Sequence, residues 1–312
     1  MKILFFGSSD FSLAALTACL EPPQEVCLVI TTPPQKQGRG LKEMPNPVQQ
    51  FAEAQKIPYE APATLKNLIL LERARSLRPD LIVVASYGKM IPSDWLKVPN
   101  KLCLNVHPSL LPKYRGAAPL NWPILNGDSE TGMSIAEVTN KLDAGDIFFQ
   151  EIIPIPENVN SLELGKNLAG KSILALRQVF KALEAGNLAR HAQNDSDFTY
   201  AVKLKKENGV ILWSQDVLSI HNQIRGLIPW PTAYTVFKNN PIQILKGRIL
   251  DSDKCSGKPG EVISLQKPLG FEIQTGRGTL LIERLKPAGK KEMTGMDFIN
   301  GLRLIPGAVF GS

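Results

Sequence analysis

The sequence predicts an α/β fold, with an open parallel sheet in the first part of the chain and a small β-barrel in the last part. In residues 1–188, short apolar runs alternate with segments of helical spacing, which is typical of an open parallel sheet. From Leu204 onward, one helix is followed by short strands separated by turns, which favours a barrel. We therefore predict a first domain over residues 1–188, a polar linker over 189–203 and a second domain over 204–312.

The first domain begins with a buried strand, and further apolar runs follow at regular intervals. An all-apolar run such as Leu81–Ala85 is typical of a strand that is covered on both faces. The predicted strands are Ile3–Phe6, Val26–Thr31, Leu81–Ala85 and Cys103–Val106. The predicted helices are Phe11–Leu20 with Ser9 or Asp10 as its cap, Pro47–Gln55, Leu65–Arg75 and Ser161–Gly186.

The second domain begins with a predicted helix at about Asp216–Gly226, on whose surface we place His221. Pairs of turn-forming residues then punctuate the chain, for example at Ser256-Gly257. We expect Trp213 and Trp230 to lie in the core of this domain.

Composition indicates an ordinary globular protein, but its charge is unevenly distributed. Residues 203–312 hold 16 of the 36 Lys and Arg and 9 of the 29 Asp and Glu, so the whole net charge of +7 lies in this segment. This excess is either a solvated basic surface or a platform for a polyanion, most simply a nucleic acid.

No apolar run approaches the roughly 18 residues that a membrane span needs. Gly7 cuts short the apolar start, which favours a buried strand over a signal peptide. The four cysteines lack CxxC spacing, so we expect reduced thiols and no metal site. We therefore expect a cytoplasmic protein without membrane contact.

The run Asn105-Val106-His107 is the strongest indication of chemistry. Residues two apart on a strand point to the same side, so the amide and the imidazole should face one site. The amide can donate to a developing oxyanion, and the imidazole can move a proton near neutral pH. A carboxylate should orient the imidazole; Asp143 is the best candidate, and Asp146 is the alternative. An isolated Asn-x-His pair can also be purely structural.

Several runs together resemble one family. They are NVHPSLLP at 105–112 with Asp143-x-Gly145 downstream, ILFFGSSDF at 3–11, GRGLKEMPNP at 38–47, RGAAP at 115–119, PWPTAY at 229–234 and PAGKKEMTGMDFINGLR at 287–303. In this order they resemble the formyltransferases that use 10-formyltetrahydrofolate, and within that family the members that formylate methionine on initiator tRNA. The resemblance implies a Rossmann-like catalytic domain followed by an OB-like barrel that binds tRNA.

The resemblance also implies roles for individual residues. Asn105, His107 and Asp143 would be catalytic, without a metal. The folate pocket would be formed by Ser109, Leu110, Leu111, Pro112, Tyr87, Gly88, Met90 and Ile91. Arg39 would reach the acceptor end of tRNA, in a basic loop that also holds Lys36 and Lys42. Further candidate phosphate contacts are Lys203, Lys205, Lys206, Lys246, Arg248, Lys290 and Lys291.

The resulting expectation is a monomeric enzyme that transfers the formyl group of 10-formyltetrahydrofolate to initiator Met-tRNA for translation initiation. One alternative is a formyltransferase for a small amine, such as glycinamide ribonucleotide or an amino sugar. Another is a nucleic-acid-binding protein built on a disused enzyme fold. The basic last third argues against the former alternative, and the complete set of Asn105, His107 and Asp143 argues against the latter.

Overall fold

The structure is a computed structural model that describes residues 1–37 and 42–311. The chain divides into two compact units. The sheet unit comprises Met1–Pro119, Thr131–Pro154 and Gly165–Ala201. The barrel unit comprises Leu120–Glu130, Ile155–Leu164 and Val202–Ser312.

The sheet unit contains a main sheet of seven strands and two small strand pairs. The strands of this part of the chain are β1 (Lys2–Gly7), β2 (Glu25–Ile30), β3 (Gln35–Gln37), β4 (Lys42–Met44), β5 (Tyr59–Glu60), β6 (Leu81–Ala85), β7 (Leu102–His107), β8 (Arg115–Gly116), β9 (Glu130–Glu137), β10 (Ile147–Pro154) and β11 (Tyr200–Ala201). The main sheet has the order β10-β9-β7-β6-β1-β2-β5. Strands β5, β2, β1, β6 and β7 pair in parallel, which confirms the predicted open parallel sheet.

Strand β9 adds to β7 in the antiparallel direction, and β10 adds to β9. Neither strand was predicted. Residues 131–136 are all buried, yet they include Gly132 and Ser134, whose small or polar side chains weaken the apolar pattern of a strand. Two further pairs lie outside the main sheet: β3 with β4 in the antiparallel direction, and β8 with β11 in parallel.

The predicted helices are present with shifts of a few residues at their ends. Ser9 caps the first helix by accepting a hydrogen bond from the Ser12 N–H. Asn46 and Asn67 cap the next two helices in the same way. The helices are α1 (Asp10–Cys19), α2 (Pro47–Ala54), α3 (Leu68–Ser76), α4 (Ser93–Leu96), α5 (Trp122–Leu125), α6 (Ser161–Glu184), α7 (Val217–Gly226) and α8 (Gly295–Leu302).

The barrel unit contains an antiparallel sheet in the order β12-β13-β16-β15-β14, with β17 paired to β16. Its strands are β12 (Ala233–Phe237), β13 (Asn240–Asp251), β14 (Val262–Gln266), β15 (Gly270–Gln274), β16 (Thr279–Pro287) and β17 (Met293–Thr294). Residues 307–311 bond to both outer strands: Phe310 N–H donates to the Gly260 carbonyl beside β14, and Gly311 N–H donates to the Val236 carbonyl in β12. This segment closes the sheet, as the prediction of a barrel requires.

Aromatic rings fill the barrel. Phe310 stacks on Phe237 and Phe271, with ring centroids 4.5 and 5.4 Å apart. Trp213 is buried as predicted, and its Nε1–H donates to Thr235 Oγ1 at 2.9 Å. The prediction for Trp230 was wrong: it lies in the turn after α7, between two prolines, and is 55% exposed.

His221 was also misplaced by the sequence analysis. It lies on α7 but on the buried side of that helix, where it is only 6% exposed. Burial lowers its pKa, because the charged imidazolium is poorly solvated there. No helix in the described part of the chain is long and apolar enough to cross a membrane.

Candidate active site

A cavity of about 450 Å³ lies where β6 and β7 end in the sheet unit. Ligands commonly bind at the carboxyl ends of strands in open α/β sheets, and this volume is in the usual range for small-molecule sites. The cavity is lined by residues after β6, by the end of β7 and by residues 137–143. Asn105, His107 and Asp143, which the sequence placed at one site, all contribute to its wall.

Asn105 and Asp143 are directly bonded. The Asn105 Nδ2 donates to Asp143 Oδ1 at 2.9 Å. A side-chain amide has two N–H donors on this nitrogen, so one remains for a group inside the cavity. The carboxylate thus fixes the direction in which the remaining N–H points.

His107 is held by a backbone group. Its Nε2 lies 2.9 Å from the Tyr114 carbonyl oxygen, which can only accept, so Nε2 carries the proton. Its Nδ1 lies 3.8 Å from Asp143 Oδ2, beyond hydrogen-bond distance but within ion-pair range when the ring is protonated. Both side chains are nearly buried, at 5% and 11% exposure, so water screens this interaction weakly.

Asp143 has an unusual backbone. Its φ of +50° lies in the left-handed region, which side-chain-bearing residues rarely adopt. The Gly116 N–H donates to its Oδ2 at 2.8 Å. The alternative carboxylate, Asp146, lies 3.7 Å from the Arg190 guanidinium and is not bonded to Asn105 or His107 in the described structure.

Residues 87–91 form one wall of the cavity. Tyr87, Gly88, Met90 and Ile91, all expected in the folate pocket, line it. Tyr87 is 2% exposed, and its hydroxyl has no hydrogen-bond partner among the described residues. Burial raises the pKa of this hydroxyl to about 12, so it remains a donor at neutral pH.

The other expected folate residues, Ser109–Pro112, form a largely buried turn and are not among the described residues that line this cavity. Ser134 anchors the turn: its Oγ donates to the Ser109 carbonyl at 2.6 Å and accepts from the Leu111 N–H at 3.2 Å. Leu111 packs with Ala136 and Ile147. Ser134 thereby fixes the backbone of the segment that follows His107.

The residues expected to bind tRNA are spread over both units. Arg39 lies outside the described residues, and Lys36 and Lys42 lie in β3 and β4. In the barrel unit, Glu283 lies 3.0 Å from the Lys246 Nζ and 3.5 Å from the Arg248 Nε, so both cations are partly neutralised. The remaining candidates are exposed: Lys203, Lys205, Lys206, Lys290 and Lys291.

Sequence reasoning missed the groups that hold Asn105, His107 and Asp143 in place. The Tyr114 carbonyl and the Gly116 N–H are backbone groups, which any residue type supplies. Gln193 also reaches this site, since its Nε2 donates to the carbonyls of Asp143 and Gly145 at 2.9 and 2.7 Å. Within the described residues, no cluster of three or more His, Cys, Asp or Glu could hold a metal ion.

Comparison with known proteins places the chain in a family. Residues 1–179 match the formyl transferase family and residues 203–303 match the formyl transferase C-terminal domain. A methionyl-tRNA formyltransferase of Geobacter metallireducens is 37% identical over 100% of this chain and 99% of its own length. One of Moorella thermoacetica is 38% identical with the same coverage. This chain belongs to the methionyl-tRNA formyltransferase family.

Solved structures share the fold of this family member at lower identity. An N-formyltransferase of Helicobacter canadensis, in complex with folinic acid and dTDP-3-aminofucose, has a TM-score of 0.68 at 21% identity over 90% of this chain and 98% of its own. HypX of Aquifex aeolicus has a TM-score of 0.67 at 18% identity over 97% of this chain and 47% of its own. At these identities the likeness shows the fold alone.

Proposed function

We propose that the protein transfers the formyl group of 10-formyltetrahydrofolate to the amino group of methionine on initiator Met-tRNA, which yields N-formylmethionyl-tRNA for translation initiation. The observation that carries the proposal is the grouping of three side chains in the wall of the cavity: Asn105 is hydrogen-bonded to Asp143, and His107 lies 3.8 Å from the same carboxylate. Formyl transfer needs an oxyanion donor and a proton acceptor but no covalent nucleophile, and this set supplies both. The full-length relatives named methionyl-tRNA formyltransferase support the substrate.

Asn105 stabilises charge on the formyl oxygen. As the methionine nitrogen adds to the formyl carbon, the carbonyl oxygen becomes negative. The Asn105 N–H that is not bonded to Asp143 can donate to this oxygen. Because Asp143 fixes the amide, little reorganisation is required when the charge develops.

His107 moves the proton. With Nε2–H bonded to the Tyr114 carbonyl, the neutral ring has its lone pair on Nδ1, which is therefore the base. It accepts the proton that the attacking amine loses, and the adjacent Asp143 carboxylate stabilises the resulting cation. The proton then passes to the nitrogen of the donor as the bond from that nitrogen to the formyl carbon breaks.

The cavity fits a folate on its own features. Apolar side chains in its wall, such as Met90 and Ile91, suit a flat ring system. When bound, 10-formyltetrahydrofolate supplies an activated formyl group on nitrogen. The turn of Ser109, Leu110, Leu111 and Pro112, anchored by Ser134, would hold the backbone that follows His107, and its part in the folate pocket stays a prediction.

Basic residues would bind the tRNA. Lys203, Lys205, Lys206, Lys290 and Lys291 are exposed, so they are available for phosphates without breaking an internal ion pair. We propose in addition that the enzyme acts as a monomer in the cytoplasm. Light scattering after gel filtration of the full chain measures the former; a mass of two chains would refute it.

The deciding experiment presents the full chain with 10-formyltetrahydrofolate labelled in the formyl group and three acceptors: initiator Met-tRNA, glycinamide ribonucleotide and a dTDP-amino sugar. We expect label on Met-tRNA only, appearing about 10²-fold or more slowly with the His107→Ala variant. Label on a small amine but not on tRNA would establish the alternative enzyme. Binding of tRNA without transfer to any acceptor would point to a nucleic-acid-binding protein.

A further inference from the structure

Residues 191–201, called here the clasp segment, form the end of the sheet unit and are hydrogen-bonded to the rest of it at several points. His191 exchanges backbone hydrogen bonds with Ile147 at 2.8 and 2.9 Å, and β11 at the far end of the segment pairs with β8. Between these two attachments, the Gln193 side chain reaches the loop that carries Asp143. A polar stretch that resembles a linker in sequence thus lies against the active site.

The Gln193 amide has a single possible orientation. Its Oε1 accepts from the Arg115 Nε at 3.0 Å and from Nη2 at 2.7 Å, and its Nε2 faces two carbonyl oxygens. Reversing the amide would place its N–H groups against a cation and its oxygen against carbonyls. The neighbouring groups therefore determine which terminal atom of the Gln193 amide is oxygen and which is nitrogen, an assignment that is often ambiguous for side-chain amides.

Arg115 is itself immobilised. It is 5% exposed, its Nη2 lies 2.8 Å from Asp195 Oδ1, and its guanidinium lies 5.1 Å from the centroid of the Phe198 ring. The charge of Arg115 lowers the pKa of Asp195 below its usual value through their hydrogen bond. A buried, paired guanidinium is a rigid support for Gln193.

These bonds form a closed ring around Asp143. Gln193 holds its backbone carbonyl, Arg115 holds Gln193, and Gly116, the residue after Arg115, donates its N–H to the Asp143 carboxylate. The backbone carbonyl and the carboxylate of Asp143, whose backbone is left-handed, are thus both held by strand β8, the carbonyl through Gln193 and the carboxylate directly. Gly145 limits the loop from the other side, since a Cβ there would lie 2.1 Å from the Glu137 carbonyl oxygen.

We propose that Gln193 is a positioning residue of the reaction: through Arg115 and the Asp143 carbonyl it keeps the carboxylate on Asn105 and opposite His107 Nδ1. The expected fall in turnover rests on the proposed function. The expected movement of the Asp143 carboxylate does not depend on which substrate the protein uses. Displacement of a catalytic group by even 1 Å can cost about 10²-fold in rate. Loss of the Gln193 amide should therefore reduce turnover while leaving substrate binding nearly unchanged.

Two substitutions test the amide in the full chain. Gln193→Met keeps the length and removes both hydrogen-bonding groups. Gln193→Glu keeps the contact with Arg115 but places an oxygen against the two carbonyls. We expect kcat for formylation of Met-tRNA to fall about 10- to 100-fold in both variants, with KM for folate and for tRNA changed less than about threefold.

Gln223→Met is a matched control. The Gln223 Nε2 also donates to two backbone carbonyls, those of Asn208 and Val210 at 2.8 and 2.9 Å, but all three residues belong to the barrel unit. The substitution removes the same pair of Nε2 bonds to backbone carbonyls, but outside the sheet unit, and should leave kcat at the parent value. Thermal melting of each variant shows whether it is folded before its rate is compared.

Amide hydrogen exchange separates positioning from simple attachment of the clasp segment. In Gln193→Met, the Gly116 N–H should exchange about tenfold faster or more, because the carboxylate that accepts its bond has moved. The neighbouring N–H groups of Arg115 and Ala117 bond to Thr199 and Ala201 and should keep their protection. This measurement needs no tRNA, so it stands even if the parent enzyme formylates another amine.

Three results would overturn the proposal. Parent-like kcat in Gln193→Glu would mean that only the contact with Arg115 matters. Equal loss of protection at residues 115, 116 and 117 would mean that Gln193 merely attaches the clasp segment. Unchanged exchange at Gly116 in Gln193→Met would mean that Asp143 is held without Gln193.

Discussion

His107 and Tyr114 are joined by a hydrogen bond of 2.9 Å from the imidazole Nε2 to the backbone carbonyl oxygen. This bond decides which ring nitrogen can act as a base, because a neutral imidazole carries only one proton. Nδ1 is left with a lone pair opposite the Asp143 carboxylate. The backbone carbonyl of Tyr114 therefore selects the tautomer of His107, and Asp143 supplies the negative charge beside the ring.

Replacing His107 by Ala removes the proton acceptor from the reaction. We expect formylation of Met-tRNA to slow by about 10²-fold or more, with folate affinity little changed. Steady-state kinetics and fluorescence titration with folate measure the two quantities. His191→Ala is the control, since its side chain is exposed and its contact with Ile147 is through the backbone. A rate within a few-fold of the parent in His107→Ala would exclude this residue from the mechanism.

Asp143→Asn should lower turnover more than it changes the affinity for either substrate. The substitution keeps the volume but removes the charge that supports protonated His107. Asp146→Asn is the paired control, because Asp146 faces Arg190 at the surface. Its effect on stability should stay within about 0.5 kcal/mol. A larger fall in turnover in Asp146→Asn than in Asp143→Asn would show that Asp146 is the carboxylate that supports protonated His107.

Glu283→Gln should strengthen tRNA binding. It releases Lys246 and Arg248 from their shared carboxylate, so both can contact phosphate. The slope of log affinity against log salt should steepen by about 1 to 2. Glu292→Gln makes the same change in net charge but releases Arg284, which is not a candidate tRNA contact. Equal effects of the two substitutions would show that only overall charge matters.

Arg39→Ala should sharply lower formylation of Met-tRNA and leave folate binding intact. The sequence places a guanidinium between two glycines, and a guanidinium can recognise phosphate or a base edge. Arg39→Lys should recover part of the activity, because lysine keeps the charge without the planar fork. Arg75→Ala, which removes an exposed arginine paired with Glu72 on α3, is the control. Normal kinetics for Arg39→Ala would show that this loop is a solvated surface segment without a role in tRNA recognition.

Gly145→Ala should destabilise the protein by about 1–3 kcal/mol and reduce turnover. A Cβ at this position would lie 2.1 Å from the Glu137 carbonyl oxygen, so the loop carrying Asp143 must move. Gly170→Ala is the control, because Gly170 lies on α6 with nothing within 4 Å of a new Cβ. This control should be neutral or stabilising by up to about 1 kcal/mol. Urea unfolding of both variants measures the difference, and equal stability would show that the loop adapts at no cost.

The sequence predicted the parts of the fold that have a local cause. The alternation of apolar runs with capped helices predicted β1, β2, β6, β7 and the helices α1, α2 and α3, but not the short helix α4. Asn105 and His107 could be paired because side chains alternate along a strand, and Asp143 was chosen over Asp146 by its Asp-x-Gly context. Their roles remain predictions, as does the division of the chain at residues 188 and 203.

What the sequence could not predict depends on contacts between distant segments. Every residue has a backbone carbonyl, so the sequence does not mark that of Tyr114 as part of the site. Gln193 lies in a polar stretch without periodicity, which does not mark it either. Trp230 and His221 were misplaced because whether a residue on a turn or helix is covered depends on which other segments pack there. Burial is a property of the assembled unit and not of the residue.

Residues 307–311, which close the barrel, also cover two strand edges of its sheet. An unpaired edge strand can recruit another chain, and an open antiparallel sheet has two such edges. Here five residues occupy both edges at once, through the carbonyls of Val236 on one side and Gly260 on the other. Removal of this segment would expose two unpaired strand edges at once, so the same few residues that complete the barrel also cover the edges at which another chain could pair.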